Sequence, residues 1–299
     1  MSFTTIRMAV GRAMLVSGVL ILLFIPYLLW GTGLQTARIQ SHLRGEFRAA
    51  QQRAGALPTT TPTAGNGTGQ AVQVAPVVPD PPTGGAVGVI TIPKIGVSMV
   101  VVEGTGEAQL QAGPGHYPGT PLPGEAGNAA VAGHRTTYLH PFYNLNDLVP
   151  GDSITITTLQ GIFLYHVTGS MAVSPSDVAV VGPSTTPQLT LTTCNPRYSA
   201  SQRLVVHAAL VASILVRPKA VLVPAPPRRR AASTTPARNW TAAILWGVVV
   251  VALTAGLWIA AGRTQRSRRA VVIGAGLVVW LGVVFYFFGS VAPLLPASF

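Results

Sequence analysis

Three long uncharged apolar runs constrain this chain more than any other feature. Residues 13–30 (AMLVSGVLILLFIPYLLW), 240–262 (WTAAILWGVVVVALTAGLWIAAG) and 270–289 (AVVIGAGLVVWLGVVFYFFG) hold 18, 23 and 20 residues without a charge. A helix rises about 1.5 Å per residue, so each run is long enough to cross a hydrocarbon layer of about 30 Å. A mean hydropathy of +0.45 and a charged fraction of only 9% point the same way. Trp30, Trp240 and Trp258 lie near run ends, where indole rings favour the membrane interface. Arg7 and Arg12 ahead of the first run resemble a signal-peptide n-region. The GTGLQTARIQ that follows has no small-x-small cleavage pattern, so an uncleaved anchor is expected.

The formal net charge of +12 invites a nucleic-acid reading, but the distribution of charge argues against it. Residues 86–215 carry four basic groups (Lys94, Arg135, Arg197, Arg203) and six acidic ones (Glu103, Glu107, Glu125, Asp147, Asp152, Asp177), a balance of −2. The flanks therefore hold +14, beside the apolar runs, where it reports topology and contact with the lipid bilayer. Arg7 and Arg12 place the N-terminus in the cytoplasm. Arg263, Arg266, Arg268 and Arg269 place the loop between runs two and three there too. Both constraints agree if the middle segment lies outside a multi-pass cell-membrane protein and the uncharged tail VAPLLPASF also ends outside. The triplet Arg228–Arg230 opposes this, but long translocated segments cross largely regardless of charge.

The expected organisation is a cytoplasmic N-terminus and first span (1–35), a juxtamembrane helix and Pro/Thr/Gly-rich linker (36–85), an extracytoplasmic β domain (86–216) and a Pro/Arg-rich linker (217–239). A second span (240–262), a cytoplasmic basic loop (263–269) and a third span with an external tail (270–299) complete it. Ile39, Leu43 and Phe47, four apart, give the juxtamembrane helix one apolar face. VGVITIP, GVSMVVVEG, NAAVAG, DSITITT, GIFLYHVTGSMAVS, QLTLTTC and RLVVHAAL are short, β-branched and often alternating, with turn residues between them. Seven or eight such strands suit a closed barrel or a sandwich.

Cys194 is the only cysteine. It can form no internal disulfide and no zinc site by itself, which leaves a buried apolar filler or a nucleophile. A nucleophilic thiol needs a base, and an amide substrate needs its oxyanion stabilised. Of the six histidines, His42 lies in the juxtamembrane helix, His140 and His166 at surface positions, and His116 in a turn-rich stretch. His134 follows NAAVAG at a strand end, where sites are built, whereas His207 lies within RLVVHAAL. The acids are scattered, so no metal site and no cofactor is expected.

The blocks GPGHYPGTPLPGEAGNAAVAGHRTTY (113–138) and LTTCNPRYSASQRLVVHAAL (191–210) resemble the two signature blocks of the sortases, membrane-anchored cysteine transpeptidases of Gram-positive bacteria. TLTTC at 190–194 matches the sortase TLxTC pattern. AGHRTTY and the short gap from Cys194 to Arg203 resemble the class E enzymes of actinobacteria. The resemblance covers about residues 86–215 and the N-terminal anchor.

It implies an all-β fold, an eight-stranded sortase-like β-barrel, here with one N-terminal and two C-terminal transmembrane helices. It implies Cys194 as nucleophile on the Thr–Gly bond of a Leu-Ala/Pro-x-Thr-Gly-like sorting signal near the end of a secreted protein. It implies His134 as acid/base and an arginine at the oxyanion. The acceptor would be an amine of a lipid-linked peptidoglycan precursor or a pilin lysine. Thr193 is a candidate to lend a hydroxyl or amide to the site, and Tyr138 a candidate for the sorting-signal pocket. The two C-terminal spans depart from the class E pattern and are commoner in pilus-building sortases. The linker's Asp80-Pro81-Pro82 lacks the aromatic of a pilus-type lid. A hydrolase using water, or an inert sortase-like binding module, remain as alternatives.

Alternation chooses between Arg197 and Arg203. If residues 188–194 and 203–210 pair as a hairpin with Cys194 opposite Arg203, then Thr190, Thr192, Cys194, Arg203, Val205 and His207 share a mostly polar face. Leu189, Leu191, Leu204, Val206 and Ala208 then share an apolar one. The expectation is an open polar groove with Cys194 and Arg203 side by side, and Arg197 in the loop beyond.

Overall fold

The computed structural model describes residues 3–54, 72–215 and 240–294. Residues 216–239, which include nearly all of the second expected linker and the Arg228–Arg230 triplet, lie outside the described residues, as do residues 55–71 of the first. The chain divides into two compact units: residues 1–32 with 237–297, and residues 33–236 with the last two.

The larger unit is a closed eight-stranded barrel. Its strands are β1 (Ala86–Ile92), β2 (Val97–Glu103), β3 (Gly115–His116), β4 (Asn128–Ala132), β5 (Ser153–Thr158), β6 (Gly161–Val173), β7 (Gln188–Asn195) and β8 (Gln202–Leu215), in the spatial order β1-β2-β3-β4-β7-β8-β6-β5. The seven alternating stretches of the sequence become seven of these strands. The eighth, β3, has only two residues and sits in the turn-rich GPGHYPG. It pairs parallel to β2 and antiparallel to β4.

Ile90, Ile92, Val101, Ile154, Ile156, Phe163, Leu189, Leu191 and Val206 fill the interior. These apolar residues, most of them β-branched, face one way at every second position along their strands, and such a pattern constrains strand register. The β7–β8 pairing sets Cys194 opposite Arg203, Thr192 opposite Val205 and Thr190 opposite His207. This is the register assumed above for the hairpin.

The juxtamembrane helix proves longer and more engaged than its sequence suggested. Helix α2 (Thr32–Ala54) docks on the barrel wall. Leu43 and Phe47 are buried, Leu43 in a cluster with Val100 and Val102 of β2. β3 covers β2 only at Val102 and Glu103. Beside it, Gln40 takes the place of a neighbouring peptide: its Oε1 accepts from Val100 N–H (2.8 Å) and its Nε2 donates to Val100 O (3.0 Å) and Ala112 O (2.8 Å). Thr36 donates to Gln111 O (2.8 Å), in the short helix α3 (Glu107–Ala112), and Arg44 to Ser98 O (2.7 Å).

The described part of the first linker also lies on the barrel. Ala75 N–H donates to Gly124 O (2.7 Å), Val78 N–H to Glu125 Oε1 (3.0 Å) and Ser213 Oγ to Gln73 O (2.6 Å).

The smaller unit holds α1 (Phe3–Pro26), α4 (Trp240–Arg263) and α5 (Arg266–Val291). Trp240–Ala260 and Ala270–Val291 are long and apolar enough to cross a membrane, while the apolar helix Met14–Pro26 is shorter. α4 and α5 form a hairpin whose turn is tighter than the expected seven-residue loop, since α5 begins at Arg266. Trp280 Nε1 donates to Thr254 Oγ1 (2.9 Å), and the Trp246 and Tyr286 rings stack at 5.5 Å.

Candidate active site

β4 and β7 run parallel, Asn128–Ala132 against Gln188–Thr192, so their carboxyl ends emerge side by side. The ladder continues past the last strand pair. Gly133 N–H donates to Thr192 O (3.0 Å), and the Thr193 hydroxyl donates to Gly133 O (2.7 Å). Thr193 is therefore buried, with its hydroxyl joined to the backbone that carries His134, and its side chain lies on the opposite face of β7 from Cys194.

Gly133 is required for space rather than for backbone conformation. A Cβ there would fall 2.6 Å from the ring of Phe142, which is fully buried. Phe142 N–H in turn donates to His134 O (3.2 Å).

Cys194 is half-buried and free. Arg203, facing it across the hairpin, brings Nη1 to 3.5 Å from Cys194 Sγ. His134 keeps an accessible ring edge, but its Nε2 is buried and meets no hydrogen-bond partner. Burial lowers the His134 pKa from the ordinary 6.5 to about 4, so the ring is neutral at pH 7. The Tyr138 ring lies 5.0 Å from the His134 ring. Tyr138 opens a turn in which Tyr138, Leu139 and His140 have φ of 52°, 62° and 35°. Three consecutive non-glycine residues in the left-handed region are costly, and such strain collects at functional sites.

His116 and His207 are committed elsewhere. His116 is fully buried, with Nδ1 2.7 Å from Glu103 Oε2 and Nε2 2.9 Å from Pro121 O. His207 Nδ1 lies 3.0 Å from Thr190 Oγ1, which donates to Asn128 Oδ1 (2.7 Å). Asn128 Nδ2 donates to Gly182 O (2.9 Å).

These contacts correct the expected open polar groove. Thr190, Thr192 and Val205 are 0%, 4% and 0% exposed, and the Tyr117 hydroxyl covers Thr192 at 3.0 Å. Cys194 and Arg203 at one end of that face, and His207 at the other, stay partly exposed, and the middle is closed.

Two arginines close in from behind. Arg197 is held by the Tyr143 carbonyl (3.3 Å), Asn144 Oδ1 and Asn146 Oδ1 (both 3.2 Å), over the Tyr143 ring. Arg135 is buried and was not singled out from the sequence. Its Nη1 donates to Cys194 O (2.9 Å) and Asn195 Oδ1 (2.8 Å), and its Nη2 to Asn146 Oδ1 (2.9 Å). Its one visible signal was scarcity: it is one of only four basic residues in the domain. Where its side chain points lies beyond strand periodicity.

A thiol, a neutral imidazole on the adjoining parallel strand end and a guanidinium beside the sulfur define the class of site: a cysteine nucleophile equipped for acyl chemistry. Residues 90–211 match the sequence model of the sortase domain. The chain is 30% identical over 223 residues to sortase SrtE1 of Streptomyces coelicolor, covering 68% of this chain and 56% of that protein. It is 34% identical over 132 residues to sortase D of Bacillus subtilis, covering 44% of this chain and 64% of that protein. The chain thus spans about three fifths of the length of these relatives. A solved structure of sortase E from Streptomyces avermitilis is 37% identical, with 46% of this chain and 97% of that one covered and a TM-score of 0.41. The chain belongs to the sortase family.

Proposed function

We propose that this protein is a membrane-anchored cysteine transpeptidase. It cleaves a Leu-Ala/Pro-x-Thr-Gly-like sorting signal between Thr and Gly and transfers the new carboxyl end to an amine. One observation carries the reading: Arg203 lies opposite Cys194 with its Nη1 3.5 Å from the sulfur, in a domain of sortase sequence.

Cys194 passes its proton to the neutral His134 ring, and the thiolate attacks the Thr carbonyl carbon. The oxyanion forms beside Arg203. His134 then returns the proton to the glycine nitrogen as the C–N bond breaks, leaving a thioester on Cys194. An incoming amine attacks the thioester carbon and gives its proton to His134. The C–S bond breaks, and that proton restores the thiol. Burial leaves the His134 ring unprotonated in the resting site and so free to accept a proton, but it also weakens the ring as a base, so the thiol proton moves to it only as the sulfur attacks.

The Tyr138 ring beside His134 supports a place for that residue at the mouth of the sorting-signal pocket. Thr193 acts from beneath, through Gly133 O, rather than on substrate. The acceptor amine belongs to a lipid-linked cell-wall precursor, which the membrane location brings close. Likeness to the Streptomyces sortases supports a class E assignment.

The test is mass spectrometry of the full-length protein with a Leu-Ala-x-Thr-Gly peptide. A thioester adduct on Cys194, absent in Cys194→Ala and converted to an amide by an added amine, is expected. Release of the free acid alone, whatever amine is supplied, would mark a hydrolase. No adduct from the intact thiol would mark an inert binding module.

A further inference from the structure

We infer that Arg135 is a positioning residue for this reaction: by tying the chain that carries His134 to the carbonyl of Cys194, it sets the spacing of imidazole and thiol. The inference rests on Cys194 and His134 being the reacting pair.

His134 is bracketed by its neighbours. On one side, Gly133 accepts from the Thr193 hydroxyl and donates to Thr192 O. On the other, Arg135 donates to the carbonyl of Cys194 itself and to Asn195 Oδ1. Each residue flanking the imidazole is thus bonded to the residues around the thiol, while the buried ring nitrogen Nε2 meets none of them. Distance between the two reacting groups is therefore set through backbone ties.

The chemistry of Arg135 is unusual for a merely structural arginine. It is 6% exposed, and it donates to neutral acceptors: one carbonyl and two asparagine amides. No carboxylate is bonded to it among the described residues and its Nε finds no partner; Arg197 stands close enough to repel it, and Asp147 offsets that only through space. Burying a guanidinium without a counter-ion is costly. What the arrangement provides is reach. The planar fork spans Cys194 O and Asn146 Oδ1 at once, joining β7's end, the segment after β4 and the 143–147 loop. A lysine ammonium has no such fork. Displacement of a reacting group by about 1 Å costs about 100-fold in rate.

The experiment uses the full chain in detergent, with Arg135→Gln, Arg135→Lys and Asn195→Ala, each alone and combined with His134→Ala. Thermal unfolding checks the fold of each. Two rates are read: single-turnover thioester formation with the sorting peptide, and alkylation of Cys194 by iodoacetamide at pH 7. Arg135→Gln and Arg135→Lys are each expected to slow thioester formation about 100-fold, with KM for the peptide changed less than threefold. Asn195→Ala, which leaves the buried guanidinium in place, should cost about tenfold. Alkylation should fall in Arg135→Gln and in His134→Ala, and the double variant should be no slower than His134→Ala alone. That non-additivity is the signature of one residue acting through the other.

Thioester formation within threefold of wild type in Arg135→Gln, recovery by Arg135→Lys, or fully additive alkylation losses with His134→Ala would overturn the inference. If Arg135→Gln and Arg135→Lys do not fold, Asn195→Ala decides alone, by the same alkylation comparison. Retention of activity in Cys194→Ala or His134→Ala would instead remove the reading of the site on which the inference rests.

Discussion

Two of the four basic residues of the barrel domain, Arg135 and Arg203, contact Cys194; Arg197 holds the 143–146 loop, and Lys94 is paired with Asp152 at 2.8 Å. The three arginines are not equivalent. Only Arg203 reaches the sulfur, because strand pairing aims it there. Arg197 is turned to the 143–146 loop by four contacts. Removal of an oxyanion donor costs on the order of 100-fold or more in turnover. Arg203→Ala, and Arg203→Lys as well, should therefore lose nearly all transpeptidation in a peptide-transfer assay while melting normally. Arg197→Ala should stay within about tenfold of wild type. Equal losses would mean that both guanidinium groups act on the substrate.

His134 ties stability to pH through the same burial that keeps it neutral. Its pKa is about 4 when folded and 6.5 when unfolded, so between those values the unfolded chain holds more protons. This contribution to stability is complete above pH 6.5 and shrinks as pH falls toward 4. At about 1.4 kcal/mol per pH unit the loss is bounded at roughly 3 kcal/mol, and the accessible ring edge reduces it. Thermal unfolding should show the wild type losing more stability than His134→Gln between pH 7 and 4. Parallel slopes for the two proteins would show that the ring is not desolvated.

At the scale of elements, the site is made by three chain segments leaving the barrel at one place, and close packing holds them. The Gly133–Phe142 contact is the tightest part. Gly133→Ala puts a methyl 2.6 Å from a ring that has no free space to retreat into. Overpacking of this kind costs about 1–3 kcal/mol, and here the displaced segment carries His134. A loss of stability of that size in chemical denaturation, with a larger fractional loss of activity, is expected. Full activity in Gly133→Ala would show that the segment has slack.

Helix α2 is held to β2 by Gln40, whose amide meets both polar groups of Val100. Gln40→Leu leaves those groups buried and unsatisfied, at a cost of about 1–3 kcal/mol each. A lower midpoint of thermal unfolding should report it. An unchanged midpoint would mean that α2 adds nothing to the barrel's stability.

These same elements show what could be read in advance. Seven strands and the β7–β8 register were legible because side-chain direction has period two and one face is apolar. β3 was not, since two residues carry no period. The apolar face of α2 was visible in Ile39, Leu43 and Phe47, but its partner was not, because helical periodicity names a face and not what covers it. The closing of the polar groove came from Tyr117 and Asn128, distant in sequence and brought there by the parallel β4–β7 pairing. Arg135 stayed hidden for a related reason: it lies past a strand end, where alternation stops predicting direction.

For the molecule as a whole, charge is segregated by segment. The barrel domain carries −2 and the remainder +14, and four arginines lie at 263–269 between the two most apolar helices. In the structure α4 ends at Arg263 and α5 begins at Arg266, so the four arginines lie in the helix ends on either side of a two-residue connection. A short loop so charged stays on the cytoplasmic side, because moving it across would strip several guanidinium groups of water and oppose the membrane potential. With the loop there, the other ends of α4 and α5 are predicted to be external. The N-terminal apolar helix would cross as well if Arg7 and Arg12 keep its start in the cytoplasm and the domain that follows is external, as the charge pattern predicts. On this reading we expect three crossings, with the barrel domain and the C-terminus external. A reporter active only in the cytoplasm, fused after Phe299, should be silent, and the same reporter inserted at Thr264 should be active. Activity at Phe299 would show that one of the three helices does not insert, and silence at Thr264 would invert the orientation of the hairpin.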